Sequence, residues 1–304
     1  MKRALLLFPV LLALAVLGGR GSHAQAPPRV VVVSDVHGDY AGLVRVLTDA
    51  GVLDRRRRWA GGNTVLVQTG DVPDRGPDSR KVMDLLMELE KQAPKAGGRV
   101  HALLGNHEVL NMVGDLRYVS PEEYASYKSA DADALREHVY AAASDPAKRA
   151  LPDYRAAWMA ERPLGWVELQ QAFARDGKYG KWLRRHDVVV KVGDTLLLHG
   201  GIGPAYATVP AQVINEKART ALASASPLEE KILADQDGPL WYRGLALEPD
   251  ASLEPHVDAL LAFHGVSRIV VGHTVTPGVV LPRLGGKVIL NDVGMSPVYG
   301  GPPS

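Results

Sequence analysis

Short apolar runs in this sequence repeatedly end at glycine together with Asp, Asn or His, and this pattern constrains the fold most strongly. The runs are continuous rather than alternating, which is typical of strands buried on both faces. After the first run, Val30 to Val33, a helical pattern through Leu43 and Leu47 precedes the second run, Thr64 to Val67. The third run is Val100 to Leu104. The resulting β-α-β-α-β order predicts strands paired through helical crossovers. The runs lead into Asp35-Val36-His37-Gly38, Gly70-Asp71, Gly105-Asn106-His107, His199-Gly200 and Gly272-His273.

The polar residues at these strand ends form a set that suits metal ions. Because sites in open sheets gather beyond the carboxyl ends of the strands, the side chains are expected to meet there. Carboxylate, amide and imidazole ligands without sulfur suit manganese, iron or zinc. Two such ions roughly 3.5–4 Å apart can bind the oxygens of a phosphate ester and generate hydroxide near neutral pH. The predicted metal ligands are Asp35, His37, Asp71, Asn106, His199 and His273.

Asp71 is the candidate for a carboxylate that bridges the two ions. One ion would be completed by Asp35 and His37, and the other by Asn106, His199 and His273. Taken singly, an Asp-x-His can be a solvated turn, a Gly-Asn-His-Glu can be a helix cap, and a lone His can be a core residue. Their joint occurrence, each after a strand, indicates a metal site.

Four further residues are candidates for catalysis and phosphate binding. His107 can protonate the leaving oxygen of a phosphate ester, with Asp74 orienting its ring. The planar guanidinium of Arg75 can bind phosphate oxygens. Arg243 is a second candidate clamp, although no strand end determines its position.

The rest of the chain divides into a helical segment and further strands. From about residue 115 to 185 the sequence is rich in Ala, Glu and Arg and is interrupted by prolines, which predicts a helical insertion over these residues. Within it, Ser120-Pro121 predicts a capped helix start. Later strand pairs flank Gly193-Asp194 and Gly285-Gly286, which suits hairpins. The predicted strands are Val188 to Val192, Thr195 to Leu198, Val279 to Leu284 and Lys287 to Leu290. Pro282 must then lie where no ladder donor is needed. Residues 27–304 are predicted to form a single catalytic domain.

The N-terminus has the pattern of a secretory signal peptide. Lys2 and Arg3 precede an apolar run from Ala4 to Leu17, and small residues follow, so residues 1–26 are expected to be removed by cleavage near residues 24–26. An uncleaved anchor is the alternative, but the run is short for a membrane span. The protein is therefore expected to be periplasmic or secreted.

The composition excludes several classes of site and partner. The chain contains no cysteine, which excludes disulfides and thiolate metal sites. Its formal net charge is +1, so no global field attracts nucleic acid or an anionic membrane. We expect no nucleic-acid partner and no membrane association after the signal is removed. The sequence leaves the oligomeric state open.

The strand-end residues resemble those of the calcineurin-like metallophosphoesterases, and within them the phosphoprotein phosphatases. The blocks Gly70 to Gly76 and Gly105 to Glu108 carry the resemblance, and Gly272-His273-Thr274 with Asn291 to Gly294 is most like the bacterial Shewanella-like branch. The resemblance implies a four-layer α/β/β/α sandwich of two mixed sheets flanked by helices. It also implies two divalent metals, attack by a metal-bound hydroxide, and the residue roles given above. Of the metals, we expect manganese before iron or zinc. Ser34 stands where the family usually has Gly.

Three functions follow as hypotheses. The first is a metal-dependent phosphomonoester hydrolase acting on phosphoproteins, at Ser, Thr or Tyr, or on small phosphoesters. The second keeps the fold but acts on a nucleotide or dinucleotide polyphosphate. The third is a non-catalytic metal-binding module, which the complete ligand set argues against.

Overall fold

The computed structural model describes residues 28–224 and 230–300. The predicted signal peptide, residues 1–26, lies outside these ranges. Among the residues that are described, no helix has the length and apolar character needed to cross a bilayer.

The first half of the chain builds a three-stranded parallel sheet. Strands β1 (Val30–Val33), β2 (Val65–Gln68) and β3 (Arg99–Ala102) lie side by side in sequence order. Helix α1 (Tyr40–Asp49) follows β1, and α2 (Ser79–Gln92) follows β2. Two mixed sheets were expected, but this one is parallel throughout, because each connection is a helical crossover that returns the chain in the same direction.

The second half builds a mixed five-stranded sheet. Its strands are β4 (Val189–Val192), β5 (Thr195–Leu198), β6 (Arg268–Val271), β7 (Leu281–Arg283) and β8 (Val288–Leu290). Their spatial order is β4-β5-β6-β8-β7, with antiparallel pairs β4·β5 and β7·β8. Both predicted hairpins are confirmed. Pro282 lies in the edge strand β7, as expected of a residue without an N–H.

Two strand boundaries differ by two residues from the sequence prediction. The strand expected at Val279 to Leu284 begins only at Leu281, because the hydroxyl of Thr276 donates to the carbonyl of Val279 (2.6 Å) and Gly278 has a positive φ of 78°, which turns the chain before the ladder starts. The third strand covers Arg99–Ala102 rather than continuing to Leu104, whose N–H donates instead to the carbonyl of Asp187.

Helices follow the third strand. Those up to residue 183 are α3 (Asn106–Val113), α4 (Pro121–Tyr127), α5 (Ala132–Ala143), α6 (Tyr154–Glu161), α7 (Trp166–Phe173) and α8 (Lys178–Leu183). The later ones are α9 (Ala211–Leu222), α10 (Lys231–Ala234), α11 (Gly244–Leu247) and α12 (Asp250–His264). The predicted start of α4 is confirmed: the Ser120 hydroxyl accepts the N–H of Glu123 at 3.1 Å, and Pro121 occupies the first turn.

The two sheets pack face to face, as alternate residues of their strands show. In β2, Val65 and Val67 join Leu197 of β5 and Val270 of β6 in one apolar cluster between the sheets. Leu66 points the other way, into the larger core that the helices cover. The architecture is therefore a mixed α/β fold in which helices flank two stacked sheets, and the carboxyl ends of the parallel strands share one edge.

Candidate metal centre

The loops after β1, β2, β3, β5 and β6 bring all six predicted metal ligands into one buried region. Each of the six side chains is almost completely shielded from solvent. Several of the turns are sharp enough to require a left-handed backbone, with φ of 44° at His37, 59° at Asp71 and 64° at His273. Such conformations are costly for residues other than glycine and cluster at functional sites.

Asp71 lies at the centre of this region. Its Oδ2 atom lies 3.7 Å from Nε2 of His37, 3.7 Å from Nε2 of His107 and 3.3 Å from Nε2 of His199. Two groups of three side chains have ligand atoms that all lie within 4.8 Å of one another, and Asp71 belongs to both. The groups are His37–Asp71–His107 and Asp71–His199–His273. A carboxylate shared by two groups is the geometry expected of a bridging ligand.

Asn106 lies beside the second group. The Oδ1 atom of Asn106 lies 2.9 Å from Nε2 of His199, and the same nitrogen lies 3.0 Å from Nδ1 of His273. The other ring nitrogen of His273, Nε2, is buried and has no hydrogen-bond partner among the described residues. A buried polar atom without a partner is costly, and a cation that it could bind would remove the cost.

Asp35 joins the region through the backbone. The N–H of His273 donates to Oδ1 and Oδ2 of Asp35 at 3.2 and 3.1 Å, and the hydroxyl of Ser34 donates to Oδ2. Ser34, where the family usually has glycine, is thus accommodated by a hydrogen bond to the neighbouring carboxylate.

Backbone carbonyls orient the rings of two histidines, an arrangement that is common among histidines that bind metals. Nδ1 of His37 lies 3.0 Å from the carbonyl of Pro73, and Nδ1 of His199 lies 3.1 Å from the carbonyl of Thr69. A carbonyl only accepts, so each Nδ1 carries a proton, and Nε2 of each ring is left facing Asp71. This outer hydrogen bond to a ring N–H is a regular feature of histidine metal sites.

The electrostatics of the region favour a bound cation. Burial lowers the pKa of His37 to about 3 and that of His273 to about 2, so both rings are neutral. Burial also raises the pKa of Asp35 to about 8. Burial also disfavours the charged forms of Asp71 and His199. Their mutual attraction outweighs this effect, so the pKa of Asp71 is lowered and that of His199 is raised to about 9. A divalent cation would offset this buried negative charge in place of the His199 proton.

His107 and Asp74 form a buried pair beside Asp71. Nδ1 of His107 lies 2.6 Å from Oδ2 of Asp74, and Nδ2 of Asn111 donates to Oδ1 of the same carboxylate at 2.8 Å. Burial lowers the pKa of His107, but the carboxylates of Asp71 and Asp74 outweigh it, so the net shift is upward. The proton on Nδ1 is therefore held by Asp74, and Nε2 faces the cluster.

The two predicted arginines lie at the same region in different settings. The guanidinium carbon of Arg75 lies 5.0 Å from the ring centroid of Tyr118 and 5.2 Å from that of Tyr299. Its Nε is buried without a partner among the described residues. Arg243, just before α11, donates through Nη1 to the carbonyl of His273 at 2.6 Å. Arg243, whose position could not be predicted from a strand end, therefore lies at the cluster.

Glu108 has an important structural role that was not predicted from the sequence. Its two carboxylate oxygens accept the N–H groups of Asp71 (2.9 Å), Val72 (2.7 Å) and Gly105 (2.7 Å). It thereby ties the loop after β2 to the loop after β3. The signal was present in the sequence, because a glutamate three residues after a helix N-cap commonly bonds back to the cap.

Four further residues near the cluster had no predicted role of their own: Asn111, Tyr118, Asp292 and Tyr299. Asn111 lies one helical turn after His107, a spacing that places both side chains on one face of α3. No local pattern distinguishes the two tyrosines. Asp292 is buried and accepts the N–H of Gly294 at 3.0 Å, and burial raises its pKa.

Known proteins similar to this chain support one family. The family model of the calcineurin-like phosphoesterases matches residues 28–277. A protein of Schizosaccharomyces pombe is 34% identical over 286 residues, covering 90% of this chain and 75% of that protein. Shewanella-like protein phosphatase 2 of Arabidopsis thaliana is 30% identical over 286 residues, covering 90% and 72%. The cold-active protein-tyrosine phosphatase of a psychrophilic Shewanella species is a solved structure with 31% identity and a TM-score of 0.69, covering 91% and 73%.

The family model spans most of the chain and includes every strand up to β6. The resemblance noted in the strand-end residues is thereby confirmed. The protein belongs to the calcineurin-like phosphoesterase family, has the Shewanella-like protein phosphatases among its relatives, and is a phosphoric monoester hydrolase.

Proposed function

We propose that this enzyme removes phosphate from phosphoserine, phosphothreonine or phosphotyrosine residues of proteins, with two divalent metal ions bound around Asp71. The observation that carries the proposal is that Asp71 belongs to both groups of closely spaced ligand atoms. The relatives named protein phosphatases support phosphoproteins as the substrate class.

The donor set fits a pair of divalent ions. We assign Asp35 and His37 to one ion, Asn106, His199 and His273 to the other, and Asp71 to both. The rings of His37 and His273 are neutral, and the buried Nε2 of His273 has no partner among the described residues. With no sulfur ligands, this donor set suits manganese, iron or zinc. Such a pair, when bound, withdraws negative charge from phosphate oxygens and makes water more acidic.

The proton that the leaving group needs is assigned to His107. Although His107 lies within one of the two groups of ligand atoms, its Nδ1–H is held by the Asp74 carboxylate, and its Nε2 faces the cluster at 3.7 Å from Asp71. Hydrolysis adds the oxygen of water to phosphorus and breaks the bond to the leaving oxygen. Protonated at Nε2, the His107 ring can deliver its proton to that oxygen.

Arg75 and Arg243 are assigned to the phosphate oxygens. Arg75 packs against two tyrosine rings, so its guanidinium loses little further freedom when it binds an anion. Arg243 is held by the His273 carbonyl and by the hydroxyl of Thr274 at 3.1 Å. Both cations would offset the charge of the phosphoryl group and orient it toward the metals.

We also propose that the protein acts outside the cytoplasm, in the periplasm or in the medium. The support is the N-terminal sequence pattern of Lys2 and Arg3 followed by an apolar run and small residues. Fractionation of cells that produce the full chain, with N-terminal sequencing of the product, tests this. Recovery of uncleaved protein in the cytoplasm would contradict it.

The enzymatic proposal is tested by a substrate panel. Protein stripped by a chelator should lose turnover of p-nitrophenyl phosphate and regain it with manganese, iron or zinc. Phosphoserine, phosphothreonine and phosphotyrosine peptides should then be hydrolysed faster than nucleotides and diadenosine tetraphosphate. A higher rate on the dinucleotide would instead support the polyphosphate hydrolase. Two bound metals without any hydrolysis would support the binding module.

A further inference from the structure

We propose that Tyr118 is a specificity-determining residue, whose ring contacts the leaving group and favours aryl phosphates such as phosphotyrosine over alkyl phosphates such as phosphoserine. The inference rests on the proposed function, because it uses the position assigned to the leaving oxygen. It concerns which phosphoester is preferred and not whether phosphoesters are hydrolysed.

The first step is the position of the ring beside the proposed acid. The ring centroids of Tyr118 and His107 lie 4.9 Å apart, with an angle of 44° between the planes. His107 must lie next to the leaving oxygen in order to protonate it. Whatever carries that oxygen therefore passes beside the Tyr118 ring.

The second step is that the ring is open to a ligand. The residue is 38% exposed, whereas His107 and Asp74 beside it are buried. One side of the ring packs against the guanidinium of Arg75 at 5.0 Å, and the exposed remainder is available to another group. An aromatic leaving group could pack there, since aromatic pairs are stabilised at centroid separations of 4.5–7 Å.

The third step is that the backbone holds the ring in place. Tyr118 lies in the loop between α3 and α4, and its carbonyl accepts the N–H of Arg75 at 3.0 Å. The loop is thus tied to the phosphate-binding residue, so the ring lies at a set distance from the phosphoryl group. A serine side chain that carries the phosphate is too short to place comparable apolar area against it.

Tyr299 offers an internal comparison. Its ring also packs on Arg75, at 5.2 Å, but its other aromatic neighbour is His37, at 5.6 Å. Removing either tyrosine takes one aromatic neighbour from Arg75. Of the two tyrosines, Tyr118 is the one whose ring also contacts His107. If leaving-group preference changes in Tyr118 variants and not in Tyr299 variants, the change does not arise from the lost contact with Arg75.

The experiment measures kcat/KM for a phosphotyrosine and a phosphoserine peptide of otherwise identical sequence, in the metal-loaded enzyme. Comparing the ratio between variants cancels the intrinsic difference in leaving-group reactivity. We expect Tyr118→Ala and Tyr118→Leu to lower the ratio roughly three- to tenfold, and Tyr118→Phe to preserve it. We expect Tyr299→Ala to slow both substrates in proportion and leave the ratio as in the natural protein.

An unchanged ratio in Tyr118→Ala, or in Tyr118→Leu if the alanine variant does not fold, would overturn the proposal. An equal fall in the ratio in Tyr299→Ala would also overturn it, because the effect would then act through Arg75. Failure of the proposed function would look different, since the unaltered enzyme would hydrolyse neither peptide.

Discussion

The backbone N–H of His273 donates to both carboxylate oxygens of Asp35, at 3.2 and 3.1 Å, although the two residues are 238 positions apart. Asp35 follows the first strand of the three-stranded sheet, and His273 follows β6 of the five-stranded sheet. The contact therefore joins the two sheets at the edge where the metal-ligand candidates lie. It also makes the neighbouring glycine critical.

Gly272→Ala should displace Asp35. A Cβ atom at position 272 would overlap the hydroxyl of Ser34 and the carboxylate of Asp35, both of which are buried. We expect the free energy of unfolding to fall by about 1–3 kcal/mol, as in other overpacked cores, with weaker metal binding. Denaturant unfolding and metal titration measure the two effects. Ser34→Ala controls for the loss of the hydroxyl hydrogen bond. If the two variants bind metal with equal affinity, displacement of Asp35 is not the cause of weaker binding.

Asp71→Asn should abolish most activity and reduce bound metal. The substitution keeps the shape but removes the negative charge that both groups of ligand atoms share. We expect turnover of an aryl phosphate to fall by more than the roughly 10- to 100-fold that the loss of an outer hydrogen-bonding partner costs. Elemental analysis and steady-state kinetics measure the outcome. Asp176→Asn, which alters an exposed carboxylate in a stretch of sequence without a ligand motif, serves as control. Two metals per chain with full turnover would refute the assignment.

His107→Asn should affect poor leaving groups most. Nitrophenolate departs readily without a proton, whereas the serine alkoxide of a phosphopeptide does not. We therefore expect kcat to fall by roughly 10²- to 10⁴-fold with phosphoserine peptide and by less with p-nitrophenyl phosphate. Exposed His138, replaced in the same way, should change neither rate. Equal losses on the two substrates would show that His107 does not protonate the leaving oxygen.

Glu123→Gln should change how stability depends on pH. Burial, and then the negative charge of Asp74, raise the pKa of Glu123 from 4.5 to about 8, and this residue of α4 is fully buried. Between these values the folded protein holds a proton that the unfolded chain has lost. The stability contributed by that proton is complete below pH 4.5 and declines as the pH rises to about 8.

The natural protein should therefore lose stability relative to Glu123→Gln over this range, by at most about 1.4 kcal/mol per pH unit. Denaturant unfolding from pH 5 to pH 8.5, in excess chelator for both proteins, measures the difference. Glu122 is an exposed neighbour on the same helix, and the free energy of unfolding of Glu122→Gln should change with pH as that of the natural protein does. Parallel curves for Glu123→Gln as well would show that Glu123 is ionised in the folded state.

The strands and the residues that follow them were predictable from local sequence. A continuous apolar run predicts a buried strand wherever the partner strand lies, and the glycine-containing turns predict the two hairpins. The capped start of α4 was equally local, because Ser120 and Pro121 act within one turn of helix. The six ligand candidates could be named because each directly follows such a strand.

What the sequence determined by itself was therefore the strands, the hairpins and the residues at the strand ends, since these depend on patterns a few residues long. Only the tertiary structure decided that Asp71 is shared by two groups of ligand atoms, that Glu108 ties two loops together, and that Tyr118 packs on both Arg75 and His107. The physical reason is that these contacts join residues from different loops. Their distances depend on how the two sheets and the helices pack, and no pattern within a single element contains that information.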